Sequence, residues 1–273
     1  MKKSILQTFL WDKIDVDRDQ QFGDECFIFG DGPSVGYYDL ADFSYLPSIY
    51  CGLLPFHKSF NQLNPVAATL VEPYFFLPPV FQPKISSLIG TSILRDAYLQ
   101  ELRRQKNVIS FWHFTNTFMA SGLDVRIVSR FSKIRPATNI TRLLNQLGPF
   151  SGSFFAVISA AIYMGFKKLN FIGFDGWLFE EGVKGHWYEN KVTHQRFKPF
   201  PKGSDKAFAN RLFSSLAQDF DVCTFTPYKV NTFIKGKNYF DFFSRAHRCI
   251  QSNQKLLQVD KIPLLQTYSG FTI

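Results

Sequence analysis

The chain has few cysteines, and their spacing argues against a zinc site. Only four of the 273 residues are cysteine, and no two of them form a Cys-x-x-Cys pair. Structural zinc sites are typically built from such pairs. Three cysteines (Cys26, Cys51 and Cys223) stand in or beside apolar, strand-like runs, where a reduced thiol behaves as a small hydrophobic side chain. The pattern therefore favours a reducing compartment.

Long uncharged apolar runs are also missing. None reaches the roughly 18 residues that cross a bilayer. Near the amino terminus, Trp11, Asp12 and Lys13 interrupt any apolar stretch, so a signal peptide is not predicted. We expect a cytoplasmic protein and leave peripheral contact with the inner membrane open.

The sequence contains no internal repeat, no low-complexity segment and none of the usual nucleic-acid-binding motifs. The net charge of +9 nevertheless favours anionic partners, such as nucleotide diphosphates, acidic glycans or anionic lipid headgroups. The basic, aromatic tail from Lys235 onward suits an anionic membrane surface. Nucleic acid is not expected as a partner, because the positive charge is not accompanied by a nucleic-acid recognition motif.

Aromatic residues, in contrast, are abundant. The 32 Phe, 11 Tyr and 4 Trp make up 17% of the chain, which is too much for a protein surface. Most of them are therefore expected in a core, with a few left to line a groove. The length suits one large α/β domain, and we predict a single unit over 1–273.

Short apolar runs that end at glycine or proline predict a mostly parallel sheet flanked by helices, which is an α/β fold. The predicted strands lie at 27–29, 49–54, 67–71, 108–111, 125–128, 169–174 and 222–225. Helices are predicted at 94–106, 151–163 and 205–219, the second ending at Gly165, and one more after Ser34 with that serine as its cap. Ligands of such sheets bind beyond the carboxyl ends of the strands.

The first strand leads into a glycine-centred turn. Its glycines allow close backbone approach, its proline fixes the turn, and its serine can donate to a phosphate. The aspartate can accept from a sugar hydroxyl or hold a metal, and a tight turn without any ligand is the alternative. The residues of this turn are Gly30, Asp31, Gly32, Pro33 and Ser34.

A second glycine-centred segment starts at Ser151 and Gly152, where a buried helix begins, and ends at Gly173 and Asp175 after a strand. Amides at a helix start point at a ligand or at a cap. A carboxylate just past a central strand rarely adds stability, so Asp175 is predicted to accept from ribose hydroxyls or to hold a metal. Together the two segments predict an enzyme that uses a nucleotide-activated donor.

The stretch 177–206 is polar, aromatic and basic, and it is too long for an ordinary connection. We predict a lid or acceptor-site loop. A loop histidine beside a cleft can act as a general base, because its pKa lies near neutral. The candidates are His186 and His194, with Tyr188 between them, and solvent-facing histidines are the alternative.

The Gly-x-Gly-Pro-Ser turn, combined with the Ser-Gly, Gly and Gly-x-Asp pattern of 151–177, resembles bacterial sialyltransferases of glycosyltransferase family 42. It is also similar to the flagellin-glycosylating motility-associated proteins. The matching stretches are 27–34 and 151–177, with looser matches at 71–74 and 223–228. The resemblance implies a Rossmann-like sheet of the GT-A variant, a flexible lid, and transfer from a CMP-linked sugar without an obligatory metal.

The same resemblance implies roles for individual residues. The turn 30–34 would face the donor phosphate and sugar, while Ser151, Gly152, Gly173 and Asp175 would hold the nucleotide. The run 186–188 (His-Trp-Tyr) is similar to the histidine–tyrosine element of the wider group. Asp31 stands where the sialyltransferases have asparagine. The resemblance therefore leaves the donor sugar open: sialic acid, another nonulosonic acid or a different sugar.

The function expected from these observations is that of an inverting glycosyltransferase acting on a bacterial surface glycan such as lipopolysaccharide or capsule. His186 or His194 would be the base, and Tyr188 would help to stabilise the departing phosphate. Two alternatives stay open: a phosphotransferase or pyrophosphokinase with Mg²⁺ on Asp31 and Asp175, and a non-catalytic nucleotide-binding scaffold of glycan assembly. The acceptor, the linkage and the oligomeric state, a homo-oligomer included, stay open as well.

Overall fold

An eight-stranded sheet forms the centre of the molecule, with every neighbouring pair of strands parallel. The structure is a computed structural model that describes residues 22–70, 88–113, 116, 121–123, 125–128, 153–180, 186–187 and 206–245. The strand order is β5-β4-β3-β2-β1-β6-β7-β8. The strands are β1 Glu25–Phe29, β2 Pro47–Cys51, β3 Asn64–Leu70, β4 Ile109–His113, β5 Val125–Val128, β6 Lys168–Ile172, β7 Asp221–Thr226 and β8 Lys235–Asn238.

Five α-helices accompany the sheet in the described residues: α1 Leu88–Arg104, α2 Ser153–Tyr163, α3 Asp175–Leu178, α4 Lys206–Asp219 and α5 Tyr239–Phe242. Helix α2 packs on β1, β2 and β3, and α4 packs on β7. This confirms the expected α/β fold with a parallel, Rossmann-like sheet between helices. The predicted helices at 94–106, 151–163 and 205–219 correspond to α1, α2 and α4.

Both faces of the sheet are apolar, which explains why its strands are continuous hydrophobic runs in the sequence. In β1, Cys26 and Ile28 face the core beneath α2, whereas Phe27 and Phe29 face the opposite core. On that second face, Phe27 and Phe29 pack edge-on against Phe43 with ring centroids 5.1 and 5.7 Å apart. A large share of the aromatic content is therefore core, as the composition predicts.

Helix α2 ends where the sequence predicts. Gly165 has φ +88°, a left-handed conformation that glycine adopts without strain. Its N–H donates to Ile162 O at 3.1 Å, and the N–H of Phe166 donates to Ala161 O at 3.2 Å. These two bonds form a Schellman motif, which satisfies carbonyls at the helix end.

One sequence prediction about secondary structure is wrong, and one strand was not predicted. The chain after Ser34 forms two 3-10 helices, Pro33–Tyr37 and Leu40–Phe43, in place of one α-helix, and Ser34 is no cap because Gly32 occupies the N-cap position. Gly36 and the aromatic pair after it are weak helix formers, which favours short turns. The strand that was not predicted is β8, because its Lys-Gly-Lys-Asn sequence carries no strand signal. It forms a charged edge strand, a position where lysine is common.

Candidate functional site

The strand order reverses between β1 and β6. From β1 the chain builds the sheet outward through β2, β3, β4 and β5, and it then returns to the other side of β1 with β6, β7 and β8. The carboxyl ends of β1 and β6 therefore mark the topological switch point, where open parallel sheets bind their ligands. Both glycine-centred segments leave the sheet at this point.

The two exit loops are joined to each other through backbone hydrogen bonds. Gly30 N–H donates to Ile172 O at 2.8 Å, and Gly32 N–H donates to Gly173 O at 2.6 Å. A Cβ atom at Gly30 or Gly32 would lie 2.6 Å from the carbonyl oxygen of Gly173. Gly173 itself has φ +74° and would meet Gly30 O at 2.6 Å. The glycines thus allow the loop after β1 to pack closely against the loop after β6.

Asp175 fastens the same contact with its side chain. One carboxylate oxygen accepts from the Ser34 N–H at 2.7 Å, and the other accepts from the Ser34 hydroxyl at 2.6 Å. Both residues are 2% exposed. Burial raises the pKa of Asp175 to about 6, although the hydrogen bonds from Ser34 lower it. Asp175 is therefore a buried carboxyl whose two oxygens are held by the turn after β1.

Asp31 lies between the two glycines and turns toward β2. Its Oδ2 accepts from the Leu53 N–H at 2.8 Å, and its Oδ1 accepts from the Trp187 indole N–H at 3.1 Å. Gly52, with φ +70°, makes room for this carboxylate, since a Cβ atom there would lie 1.7 Å from Oδ2. Burial raises the pKa of Asp31, whereas His186 and the two hydrogen bonds lower it.

Trp187 is a site residue for which no sequence pattern predicted a separate role. Its side chain is fully buried, its backbone N–H donates to Asp31 O at 3.0 Å, and its ring meets the His57 ring edge-on at 5.1 Å. His57 is buried too; its Nδ1 accepts from the Ser59 N–H at 3.1 Å, and desolvation lowers its pKa to about 4. A tryptophan between His186 and Tyr188 in a long polar stretch was the only sequence signal for this anchor.

The structure thus brings together most of the predicted site residues that it describes. Gly30, Gly32, Ser34 and Gly173 meet around Asp175, and half-buried His186 lies within electrostatic reach of Asp31. Pro33 opens the first 3-10 helix and is buried. Four predicted residues lie outside the described part of the chain: Ser151, Gly152, Tyr188 and His194.

The amino end of α2 lies against the β6 exit. Phe154, in the first turn of α2, has its ring 5.1 Å from Phe174 and stacks on Trp177 at 5.2 Å with an interplanar angle of 9°. The N–H groups and the positive dipole end of an 11-residue helix therefore adjoin the switch point. Such a helix start is suited to an anion.

Within the ranges given above, no group of three or more His, Cys, Asp and Glu side chains has the arrangement of a metal site. In those same ranges, no helix combines the length and the apolar character that crossing a bilayer requires. Comparison of the chain with models of protein families, with curated proteins and with solved structures gives no match.

Proposed function

We propose that the protein is an inverting glycosyltransferase, built on the GT-A variant of the Rossmann-like fold, that transfers a sugar from a nucleotide donor to a bacterial surface glycan. CMP-linked nonulosonic acids, sialic acid among them, are the favoured donors, and lipopolysaccharide or capsule the favoured acceptor. The observation that carries the proposal is the meeting of the Gly-x-Gly turn, Asp175 and the Asp31–His186 pair at the switch point of a parallel sheet.

In this proposal the donor phosphate binds at the amino end of α2. The amides of Gly32 and Ser34 already donate to Gly173 O and Asp175, so the turn after β1 has little left to offer a phosphate. The α2 start lies beside the same loops, and its amides form the positive end of the helix dipole. Those amides would stabilise the negative charge that develops on the departing nucleotide phosphate.

His186 is the proposed general base. It takes the proton of the acceptor hydroxyl while that oxygen attacks the anomeric carbon, and the bond from this carbon to the phosphate oxygen breaks in the same displacement. Trp187 fixes the neighbouring backbone through two hydrogen bonds to Asp31, which holds the imidazole near that carboxylate. A fixed base is the requirement for efficient proton transfer.

Two measurements test the proposal. Thermal unfolding is followed with CMP, UDP, GDP and ADP and with their sugar conjugates, each with and without Mg²⁺ or Mn²⁺. A ligand at one hundred times its dissociation constant should stabilise the fold by about 2.7 kcal/mol, and we expect this from CMP without metal. Stabilisation by UDP or GDP only in the presence of metal would change the assignment of the donor. If no nucleotide stabilises the protein, the proposal is overturned.

The second measurement assigns the base. We expect His186→Ala to reduce transfer by about 100-fold or more while CMP still stabilises the protein, because a general base acts on the acceptor and not on the nucleotide. His194→Ala is the matched variant in the same stretch and should retain transfer. Full activity of the His186→Ala enzyme would rule His186 out.

A further inference from the structure

We propose that Tyr228, supported by Tyr37 and Phe179, forms the subsite on which the base of a nucleoside monophosphate stacks. This inference rests on the proposed function, because it assumes a nucleotide at the switch point. The three rings come from the exits of three adjacent strands: Tyr37 follows β1, Phe179 follows β6 and Tyr228 follows β7. They therefore lie together at the carboxyl edge of the sheet.

The ring of Tyr228 is packed against two neighbouring rings and is still accessible to solvent. Its centroid lies 6.1 Å from that of Tyr37 and 6.4 Å from that of Phe179, at interplanar angles of 72° and 73°. Phe179 is buried, yet Tyr228 remains 37% exposed. A ring held by edge-to-face contacts on two neighbours loses little further freedom when a ligand stacks on it.

The position of Tyr228 ties it to the proposed nucleotide site. Asp175, which fastens the β1 and β6 loops together, acts electrostatically on the Tyr228 hydroxyl. Burial, and then Asp175 and Tyr37, raise the pKa of Tyr228 from 10 to about 12, further above physiological pH, where a tyrosine phenol is already neutral. A neutral ring next to the switch point can receive a base without adding charge beside the donor phosphate.

The opposite side of the switch point is filled by protein. Above β1 and β2, the Trp187 side chain is fully buried, bonded to Asp31 and packed on His57. A nucleotide whose phosphate lies at the start of α2 therefore has its base directed toward β6 and β7. Among the residues that the structure describes, Tyr228 is the exposed aromatic residue on that side next to Asp175.

Two other large apolar side chains in the described residues are similarly exposed, and neither fits this role. Tyr45 is 59% exposed but precedes β2, so it lies at the amino edge of the sheet. Phe242 is 49% exposed, and Lys237 Nζ lies 5.1 Å from its ring centroid, which gives that ring a cation as its partner. Tyr45 thus serves as a matched control for Tyr228.

The experiment measures binding of CMP and of ribose 5-phosphate by calorimetry to the full-length protein and to three variants. We expect Tyr228→Ala to weaken CMP binding by about tenfold or more, the effect typical of a lost base–aromatic stack, and to leave ribose 5-phosphate affinity unchanged. Tyr228→Phe keeps the ring and should bind CMP within about twofold of the wild type. Tyr45→Ala should bind both probes as the wild type does.

Each remaining outcome overturns the inference in a recognisable way. If the wild type binds CMP and Tyr228→Ala binds it equally well, the subsite is wrong and the proposed function stands. If Tyr228→Ala weakens CMP and ribose 5-phosphate to the same extent, Tyr228 only supports the fold of the site. If the wild type binds no CMP, the subsite and the CMP donor fail together.

Discussion

At the scale of single residues, the site contains one buried carboxylate, Asp175, and one partly buried carboxylate, Asp31, and the oxygens of both accept hydrogen bonds from distant parts of the chain. Asp175 accepts hydrogen bonds from Ser34, and Asp31 accepts hydrogen bonds from Leu53 and Trp187. Burying a carboxylate is costly unless its oxygens are hydrogen-bonded, and burial raises the pKa of both groups. The stability of the site therefore depends on residues that have no chemistry of their own, Gly52 first among them.

Replacing Gly52 with alanine tests this dependence. The new Cβ would overlap Asp31 Oδ2 at 1.7 Å, and the residue would keep an unfavourable φ of +70°. We expect Gly52→Ala to lower the free energy of unfolding by on the order of 3 kcal/mol, from backbone strain together with a displaced carboxylate.

The matched control is Gly23→Ala, where φ is +78° and nothing lies within 4 Å of the added Cβ. Strain alone should then cost about 1 kcal/mol. Chemical denaturation of both variants gives the comparison. If both variants lose the same free energy of unfolding, the space that Gly52 leaves for Asp31 does not contribute to stability.

The raised pKa of Asp175 predicts a pH-dependent stability. The folded protein holds this proton up to a pKa of about 6, whereas the unfolded chain releases it near 3.8, so the folded state binds more protons between these values. The free energy of unfolding should therefore fall as pH rises through this window.

The Asp175→Asn variant removes that contribution while its amide can still bond to Ser34. The free energy of unfolding of Asp175→Asn, minus that of the wild type, should therefore rise by on the order of 2 to 3 kcal/mol from pH 4 to pH 7. Denaturant titrations over this range measure the difference, with Asp219→Asn as the control at an exposed carboxyl. A flat difference would mean that Asp175 is not proton-linked to folding.

At the scale of elements, helix ends and strand exits were the features that local sequence predicted best. Gly165 ends α2 and Gly173 ends the turn after β6, both with positive φ. The segment after Ser34 was predicted incorrectly, because the side chain that looked like a cap is hydrogen-bonded to Asp175, at the start of α3. Capping read from neighbours in sequence cannot anticipate a partner 141 residues away.

The Schellman motif at the end of α2 provides an element-scale prediction. Gly165→Ala forces an alanine to φ +88° and should cost about 1 kcal/mol, which corresponds to a melting temperature lower by roughly 2 to 4 °C. Gly165→Asn should lose less, since asparagine tolerates the left-handed region better. If thermal unfolding ranks the two variants in the reverse order, the helix end is not limited by this conformation.

At the scale of the whole molecule, the order of the strands decides which loops can work together. Sequence alone predicted seven of the strands and their parallel pairing, but not that β6 lies beside β1. That neighbour relation joins the two glycine segments, and it leaves Asp31 free to bond toward β2. Trp187 then connects the long polar stretch to the same place.

The whole arrangement predicts activity without a divalent metal. Each oxygen of Asp31 and of Asp175 already accepts a hydrogen bond from the protein, which leaves both carboxylates poorly disposed to share a Mg²⁺ ion. Stabilisation by CMP, and transfer from a CMP-linked sugar, should be unchanged in excess chelator. Loss of both with recovery on adding Mg²⁺ would favour a metal-dependent phosphotransferase instead.

The sequence by itself determined the α/β class, most of the helices and strands, and the two glycine segments, because hydrophobic runs and glycine breaks are local signals. Tertiary structure alone decided that Asp175 binds Ser34, that Gly52 makes room for Asp31, and that Trp187 anchors His186 beside it. These contacts join residues far apart in the chain. They follow from the strand order, which no local pattern encodes.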